Sequence, residues 1–265
     1  MKAEIPDRLV VFTFDDGTRS NGELVAPLLA RYGFGGTFYI TEGLGFEDKD
    51  YYLTWEEIRG LHDRGFEIGN HTRGHRDVRT LSPDQLQEEV EHIDRRCAAF
   101  GIPRPETFCY PGYHTAAEAV TVLAGHGFAW ARCGCEPTPA EAYATGGCGP
   151  AYDPRLDHPL LVPTTAAYGP DTDLDTLTWA ARQAHGGRAA VITFHGVPDP
   201  RHPWVSTEPE TFRTYLSWLA DGGYTVIALR DLSRYVSVTD APADPYAAQR
   251  RRQGTGYGPG VSPGR

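Results

Sequence analysis

The chain has 265 residues, 23% of them charged and 40% hydrophobic, a composition ordinary for a soluble globular protein of one large or two small domains. Its formal net charge of −10 at pH 7 argues against nucleic acid as the main partner, because phosphate binding needs a basic face. No hydrophobic run is long enough to cross a bilayer, and the N-terminus lacks the apolar core of a secretion signal, so we expect a cytoplasmic protein without a membrane partner.

Strand and helix signals alternate along the chain. The strand formers at 10–14 run into Asp15-Asp16-Gly17, which is typical of a buried strand that ends in a turn. The clearest helix begins at Ser82, which is followed by a proline and an acidic residue. The predicted strands are 10–14, 36–40, 66–70, 107–110, 128–131, 160–163, 189–194 and 224–228. The predicted helices are 21–31, 54–63, 82–100, 116–124, 172–185, 210–220 and 231–235.

Two stretches lack these signals. Residues 133–157 are rich in glycine, proline and small side chains, which favours a long loop that lines or covers a site. Residues after about 240 contain many Pro, Gly and Gln, which favours disorder. We therefore predict one domain at 1–239 and a disordered tail at 240–265. The alternation of strands and helices predicts an α/β fold with a parallel, barrel-like sheet.

The five cysteines, at 97, 109, 133, 135 and 148, indicate reduced thiols, because their number is odd and no export signal is visible. The last three could hold a second metal ion, but their spacing fits no strong zinc pattern. Their roles, and that of the 133–157 loop, stay open at this point.

Polar residues follow several predicted strands directly. Asp15, Asp16, His71, Tyr110 and His195 all stand at such positions. In parallel barrel-like sheets, residues just after the strands collect on one face and build the active site. We therefore expect these side chains to lie close together.

The adjacent carboxylates of Asp15 and Asp16 need a cation, because close like charges repel and a buried anion needs a partner. His71 and His75 are four residues apart, so both rings can reach one ion from the same side of a helical turn. One carboxylate and two imidazoles make a three-ligand site with open positions for water and substrate. The other carboxylate is then free to act as a base.

Simpler interpretations exist for each residue. The two aspartates could cap the turn, and a lone histidine such as His195 is more often structural. Tyr110 and Tyr113 could pack in the core or line a cleft, and Trp204 could stack on a sugar or anchor its own loop.

Three motifs together resemble the polysaccharide deacetylases, the NodB-homology or carbohydrate esterase family 4 group. They are Thr13-Phe14-Asp15-Asp16-Gly17, His71-Thr72-Arg73-Gly74-His75 and Thr193-Phe194-His195-Gly196. The resemblance covers roughly residues 8–235. It implies a distorted, incomplete (β/α) barrel of about seven parallel strands and a divalent metal ion, with zinc expected and cobalt or nickel as alternatives.

The resemblance also assigns roles. Asp16, His71 and His75 would be the metal ligands, Asp15 the general base and His195 the general acid. The segment from Phe108 to Tyr113 resembles the family's third motif, in which a backbone amide, here that of Gly112, supports the oxyanion. Tyr110 and Tyr113 would flank this amide beside the substrate.

Two positions depart from the family pattern. The third motif usually begins Phe-Arg, with the arginine tuning the base, but Cys109 stands at the arginine position. The fourth motif usually offers a tryptophan and an aspartate that orients the acid histidine. Trp130 is present, but Arg132 stands near where the acid is expected, and it could supply the missing cation beside Asp15 from another strand.

These observations favour a metal-dependent hydrolase of a C–N amide bond that deacetylates an N-acetylated sugar or oligosaccharide. One alternative is hydrolysis of a small non-sugar amide such as a cyclic imide or ureide. Another is a non-catalytic carbohydrate-binding module on the same barrel. The expected partner is a small-molecule or oligosaccharide substrate, and the sequence leaves the oligomeric state open.

Overall fold

The central strand of the sheet is β1 (Leu9–Phe14), and all six of its side chains are buried. A strand covered on both faces reads as a continuous apolar run, which is what Leu-Val-Val-Phe-Thr-Phe shows. The computed structural model describes residues 3–134, 151–170, 172–248 and 250. The remaining strands are β2 (Thr37–Ile40), β3 (Glu67–Asn70), β4 (Thr107–Cys109), β5 (Trp130–Arg132), β6 (Ala151–Tyr152), β7 (Thr165–Ala166), β8 (Ala189–Phe194) and β9 (Thr225–Ile227).

Six α-helices are present in the described part of the chain. They are α1 (Ala26–Tyr32), α2 (Trp55–Asp63), α3 (Pro83–Ala99), α4 (Ala117–His126), α5 (Leu174–Arg182) and α6 (Pro209–Asp221). Helices α2 and α3 begin with the capping boxes of Thr54 with Glu57 and Ser82 with Gln85, in which side chains bond the first free backbone amides. Short helical turns occupy Asn21–Val25, Val78–Thr80, Pro111–Tyr113, Pro159–Leu161, Leu229–Arg234 and Val238–Asp240.

The strands form one curled sheet in the order β5-β4-β3-β2-β1-β8-β6, with β9 beside the first half of β1 and β7 beside β8. All neighbours are parallel except β6 and β8. At the open side, the Val162 amide donates to the Ala131 carbonyl (2.8 Å), and the chain then enters β7. The predicted distorted, incomplete barrel is confirmed, with eight parallel strands in the described residues instead of about seven.

Alternation along the strands separates the barrel interior from the helix-facing side. Leu9 and Val11 belong to the interior cluster, whereas Val10, Phe12 and Phe14 pack towards the helices. Both faces of β1 are buried, and the two clusters on either side of it form most of the core.

Some predicted elements are wrong. The strand predicted at 160–163 is the helical turn Pro159–Leu161, because Pro159 fits the first position of such a turn and lacks an amide for a ladder. The strand of this region is β7, which begins two residues after the predicted strand ends. The predicted helix at 21–31 begins as a π-helical turn before α1.

The two stretches without signals are only partly described. Strand β6 lies inside the 133–157 loop, whose residues 135–150, with Cys135 and Cys148, lie outside the described part. In the predicted tail, Tyr246 packs beside the cluster between β4 and α4, and Ala248 is buried. No described helix combines the length and apolarity that a membrane span requires.

Candidate metal centre at the carboxyl edge of the barrel

Strand alternation brings the candidate side chains to the barrel interior. Asp15 continues the inward series of Leu9, Val11 and Thr13, and its amide donates to the carbonyl of Phe194 on β8 (2.9 Å). His71 continues β3 in the same way, and His195 continues β8. The carboxyl ends of three parallel strands therefore deliver these residues to one edge, as predicted.

The chain turns sharply directly after β1. Asp16 has a φ of 72° and Gly17 a φ of 68°. A left-handed conformation is costly for an aspartate and persists where the surrounding structure enforces it, often at functional sites. His75 is also left-handed, with a φ of 51°. Two of the three predicted metal ligands thus carry backbone strain.

The three predicted ligands converge. Oδ1 of Asp16 lies 3.5 Å from Nε2 of His71 and 3.5 Å from Nε2 of His75. Nδ1–H of His71 donates to the Cys109 carbonyl (2.8 Å), which leaves Nε2 of that ring turned towards Asp16. The ligand atoms of the three residues all lie within 4.8 Å of one another.

This donor set fits a divalent cation such as zinc. Ligands held at about 2.0–2.1 Å in a tetrahedral arrangement lie about 3.3 Å apart, close to the spacing seen here. Oδ1 of Asp16 is buried and has no hydrogen-bond partner among the described residues, although a buried carboxylate oxygen needs one. An ion between the three side chains would satisfy it.

Burial and mutual charge shift the titration of the three ligands. Burial alone would raise the pKa of Asp16, but the approach of His71 and the other imidazoles holds it well below its usual range. Burial alone would lower the pKa of His71, but the Cys109 thiol, Asp16 and Asp15 raise it. Burial lowers the pKa of His75 to about 4, so this ring stays neutral with a free lone pair at neutral pH.

Arg132 forms an ion pair with the predicted base. Its Nη2 donates to Oδ2 of Asp15 (2.5 Å), and the exposed fractions of the two side chains are 0% and 4%. Nη1 donates to Oγ1 of Thr193 (2.8 Å). The guanidinium lies between the rings of Tyr39 and Tyr113, at 5.5 and 5.2 Å from their centroids. Asp15 is thus held by a buried cation that is itself fixed on several sides.

Cys109 makes room for this guanidinium. Its Sγ contacts Nη2 of Arg132 and lies 3.7 Å from Oδ2 of Asp15. Burial raises the pKa of the thiol, so it is neutral at ordinary pH. The group Asp15, His71 and Cys109 also brings three potential ligand atoms within 4.8 Å, but the arginine already occupies this side.

His195 stands over the two carboxylates. Its Nε2 lies 3.9 Å from Oδ2 of Asp15 and 3.8 Å from Oδ2 of Asp16. The edge of the ring meets Tyr168, with centroids 4.6 Å apart and an interplanar angle of 87°. Nδ1 of His195 is buried without a hydrogen-bond partner in the described residues, so packing against Tyr168 orients the ring.

The tyrosines and glycine of the third motif divide between two faces. Gly112 lies in the turn Pro111–Tyr113, and the hydroxyl of Tyr113 bonds that of Tyr168 (2.7 Å). Tyr110 instead packs with Phe108 on the helix-facing side, where its hydroxyl donates to the Leu160 carbonyl (3.1 Å). The expectation that Tyr110 lines the substrate site is wrong, because strand alternation points it away from the interior.

Sequence reasoning missed Tyr168 and Thr193 as parts of this site. Tyr168 follows β7, so the rule that chemistry follows strand ends would have found it had that strand been placed correctly. Thr193 stands on the inward face of β8, and its hydroxyl also bonds that of Thr164 (2.7 Å).

The first half of the chain is similar to known polysaccharide deacetylases. Residues 2–131 match the family model for polysaccharide deacetylases, a range that includes Asp15, Asp16, His71 and His75 but ends before Arg132 and His195. The chain is 33% identical over 85 residues to the putative polysaccharide deacetylase YxkH of Bacillus subtilis, a stretch that is 32% of this chain and 29% of that protein.

A second relative is the peptidoglycan-N-acetylmuramic acid deacetylase PdaA of the same bacterium, 32% identical over 90 residues, which is 33% of this chain and 32% of PdaA. The matched stretches thus span about a third of these relatives. The fold is similar to that of a family 4 acetyl xylan esterase from Clostridium thermocellum in complex with a cobalt ion. The superposition covers 91% of this chain and 96% of the esterase chain, with a TM-score of 0.58 and 20% sequence identity.

Proposed function

We propose that the chain is a metal-dependent hydrolase that removes acetyl groups from the nitrogen of an N-acetylated sugar. The match to the polysaccharide deacetylase model, the curated relatives and the carbohydrate esterase family 4 fold support this proposal. The observation that carries the proposal is the convergence of Asp16, His71 and His75, with Asp15 and His195 beside them. Hydrolysis needs a ligand set, a base and an acid around one point, and these five side chains supply them.

Asp16, His71 and His75 would hold the ion, most simply zinc, with cobalt or nickel as alternatives. When bound, a divalent cation supplies Lewis acidity, which makes water a nucleophile near neutral pH and polarises the substrate carbonyl. The hydrogen bond from His71 to the Cys109 carbonyl fixes the tautomer that presents Nε2 to the ion.

Asp15 would take the proton from the attacking water. The ion pair with Arg132 gives this buried carboxylate the charged partner that it needs and fixes one of its oxygens, Oδ2. The other oxygen, Oδ1, is buried without a hydrogen-bond partner among the described residues, so it is available to accept the proton. Arg132 is thus a positioning residue that acts through Asp15.

His195 would deliver a proton to the leaving nitrogen. Histidine is the side chain that most often transfers protons in catalysis, and Nε2 of His195 lies under 4 Å from both carboxylates. The amide of Gly112, presented by the turn after β4, would support the oxyanion of the tetrahedral intermediate. With both proton-transfer groups in place, an enzyme is favoured over a non-catalytic sugar-binding module.

The test compares three variants of the full chain for bound metal and for acetate released from N-acetylglucosamine oligomers and from small cyclic amides. Asp15→Asn should keep the metal and lose about 10²- to 10⁴-fold in turnover, the range typical of a general base. His75→Ala should lose both metal and turnover, while the exposed His185→Ala serves as a matched control and should lose neither.

Full turnover in Asp15→Asn would show the base assignment to be wrong. Turnover of cyclic amides without acetate release from sugars would replace the sugar substrate with a small amide. Sugar binding that resists a chelator, with no turnover of any substrate, would identify a binding module instead of an enzyme.

A further inference from the structure

The loop between His195 and α6 carries an exposed aromatic side chain that the reaction does not use. Trp204 is 64% exposed, more than any other large apolar side chain in the described residues. A tryptophan that anchors its own loop is buried by that loop, so the loop-anchor interpretation of Trp204 fails. Exposed aromatic rings of this kind are typical of recognition surfaces.

The loop that presents Trp204 is held rigidly from beneath. Asp199 is buried, accepts hydrogen bonds from the hydroxyl of Tyr51 and the amide of His202 (3.0 Å), and donates its own amide to Oγ of Ser206 (2.8 Å). The Val205 amide donates to the His202 carbonyl (2.9 Å). A ring on such a loop loses little freedom on binding, which favours affinity.

The same loop is tied to the catalytic edge. The Thr207 amide donates to the carbonyl of Gly196, directly after the acid histidine (3.1 Å). The Ser206 carbonyl accepts from the amide of Gly169 (2.8 Å), the residue after Tyr168, whose ring packs on His195. Trp204 therefore stands on a loop that borders the edge at which His195 lies.

Two polar side chains of the same loop, His202 beside the indole and Arg201 against Tyr51, accompany Trp204. The His202 ring lies 5.3 Å from that of Trp204 at 66°. The Arg201 guanidinium lies 4.3 Å above the Tyr51 ring and pairs with Asp48 (2.6 Å). A flat apolar face with hydrogen-bond donors at its edge matches a pyranose, which has C–H groups on its faces and hydroxyls around its rim.

We propose that Trp204, with His202 and Arg201, forms a subsite for a second sugar ring next to the one that is deacetylated. The preferred substrate is then an oligosaccharide or polymer chain, and a monosaccharide, which cannot reach this subsite, is bound more weakly. This inference rests on the proposed function for the identity of the reacting group, but binding of a sugar ring at Trp204 can be tested without the deacetylation reaction.

The test uses the metal-loaded full chain with N-acetylglucosamine and its tetramer. Trp204→Ala should raise KM for the tetramer by about five- to tenfold, the range of one aromatic stacking contact, with kcat little changed. Its kcat/KM for the monosaccharide should equal that of the wild type. Trp204→Phe should keep most of the tetramer affinity, and Tyr32→Ala, which removes another exposed aromatic ring, should change neither substrate.

Equal effects of Trp204→Ala on both substrates, or no effect on the tetramer, would overturn the subsite while leaving the deacetylase intact. Tetramer binding to the full chain, followed by NMR of the indole N–H groups, separates the two proposals. The indole N–H resonance of Trp204 is the one that is absent from the spectrum of Trp204→Ala. If the tetramer shifts this resonance, the subsite is supported even when no acetate is released. Tetramer binding that leaves that resonance unmoved overturns the subsite, as does the absence of tetramer binding at millimolar concentration.

Discussion

Arg132→Met removes the cation that faces Asp15 inside the barrel. The guanidinium is fully buried and the carboxylate nearly so, and Nη2 lies 2.5 Å from Oδ2. Breaking a buried pair leaves an uncompensated charge, which costs about 3–5 kcal/mol of unfolding free energy. The bond from Nη1 to Thr193 is lost as well. We expect a loss in this range by urea unfolding of the metal-free chain, with Arg132→Lys in between, because lysine keeps the charge but not the planar fork.

A double-mutant cycle isolates the pair. Asp15→Asn with Arg132→Met leaves neither charge behind, so the double variant should be more stable than Arg132→Met alone. Arg95→Met serves as control, because Arg95 and Glu88 form a pair of similar length whose side chains are 56% and 61% exposed, and such pairs contribute about 0–1 kcal/mol. Asp15 does not depend on a buried cation if the losses in unfolding free energy of the two single variants simply add in the double variant. The same conclusion follows if Arg132→Met lowers the unfolding free energy no more than Arg95→Met does.

Two further predictions concern the lower part of the barrel interior. Burial raises the pKa of Glu67 to about 7, so the folded state keeps a proton that the unfolded chain loses above about pH 4.5. This contribution to stability is complete below about pH 4.5 and is lost as the pH rises to about 7. The unfolding free energy of Glu67→Gln, measured relative to that of the wild type, should therefore rise by about 3 kcal/mol between these two pH values. A difference that stays constant with pH would contradict the raised pKa of Glu67. A Cβ on Gly69 would lie 2.4 Å from the Tyr39 ring, so Gly69→Ala should cost about 1–3 kcal/mol by urea unfolding. Gly60→Ala on α2, where a Cβ meets no atom within 4 Å, should be neutral or stabilising, and equal losses in the two variants would show that the ring contact is not the cause.

The parts of the fold that could be predicted from the sequence are those that local chemistry determines. Strand β8 matches its predicted bounds, because an unbroken apolar run between a glycine-rich turn and His195 has no competing interpretation. The start of α3 follows from Ser82 and the residues after it. The approach of Asp16, His71 and His75 to one another could also be predicted, because parallel strands place their ends at one edge whatever the order of the strands.

What the sequence could not supply depends on contacts between distant segments. Tyr110 follows a strand as His71 does, but only the phase of each strand decides which one enters the barrel. The strand predicted at 160–163 ends two residues before the true one begins, so Tyr168 was not predicted as the neighbour of His195. A pairing such as Arg132 with Asp15, 117 residues apart, has no signature in local periodicity.

Arg132 and Cys109 show how the site keeps its charge while departing from the motif. The two residues are direct partners in the parallel ladder between β4 and β5, so their side chains enter the interior at the same level. The family pattern places an arginine at the position of Cys109, but here the cation comes from the next strand. The small thiol leaves the space that the guanidinium fills, with Sγ against Nη2. At the position of Cys109 alone, the arginine of the family pattern is missing. At this level of the barrel, however, one cation and one small neutral side chain lie beside Asp15, and the buried carboxylate keeps the charged partner that it requires.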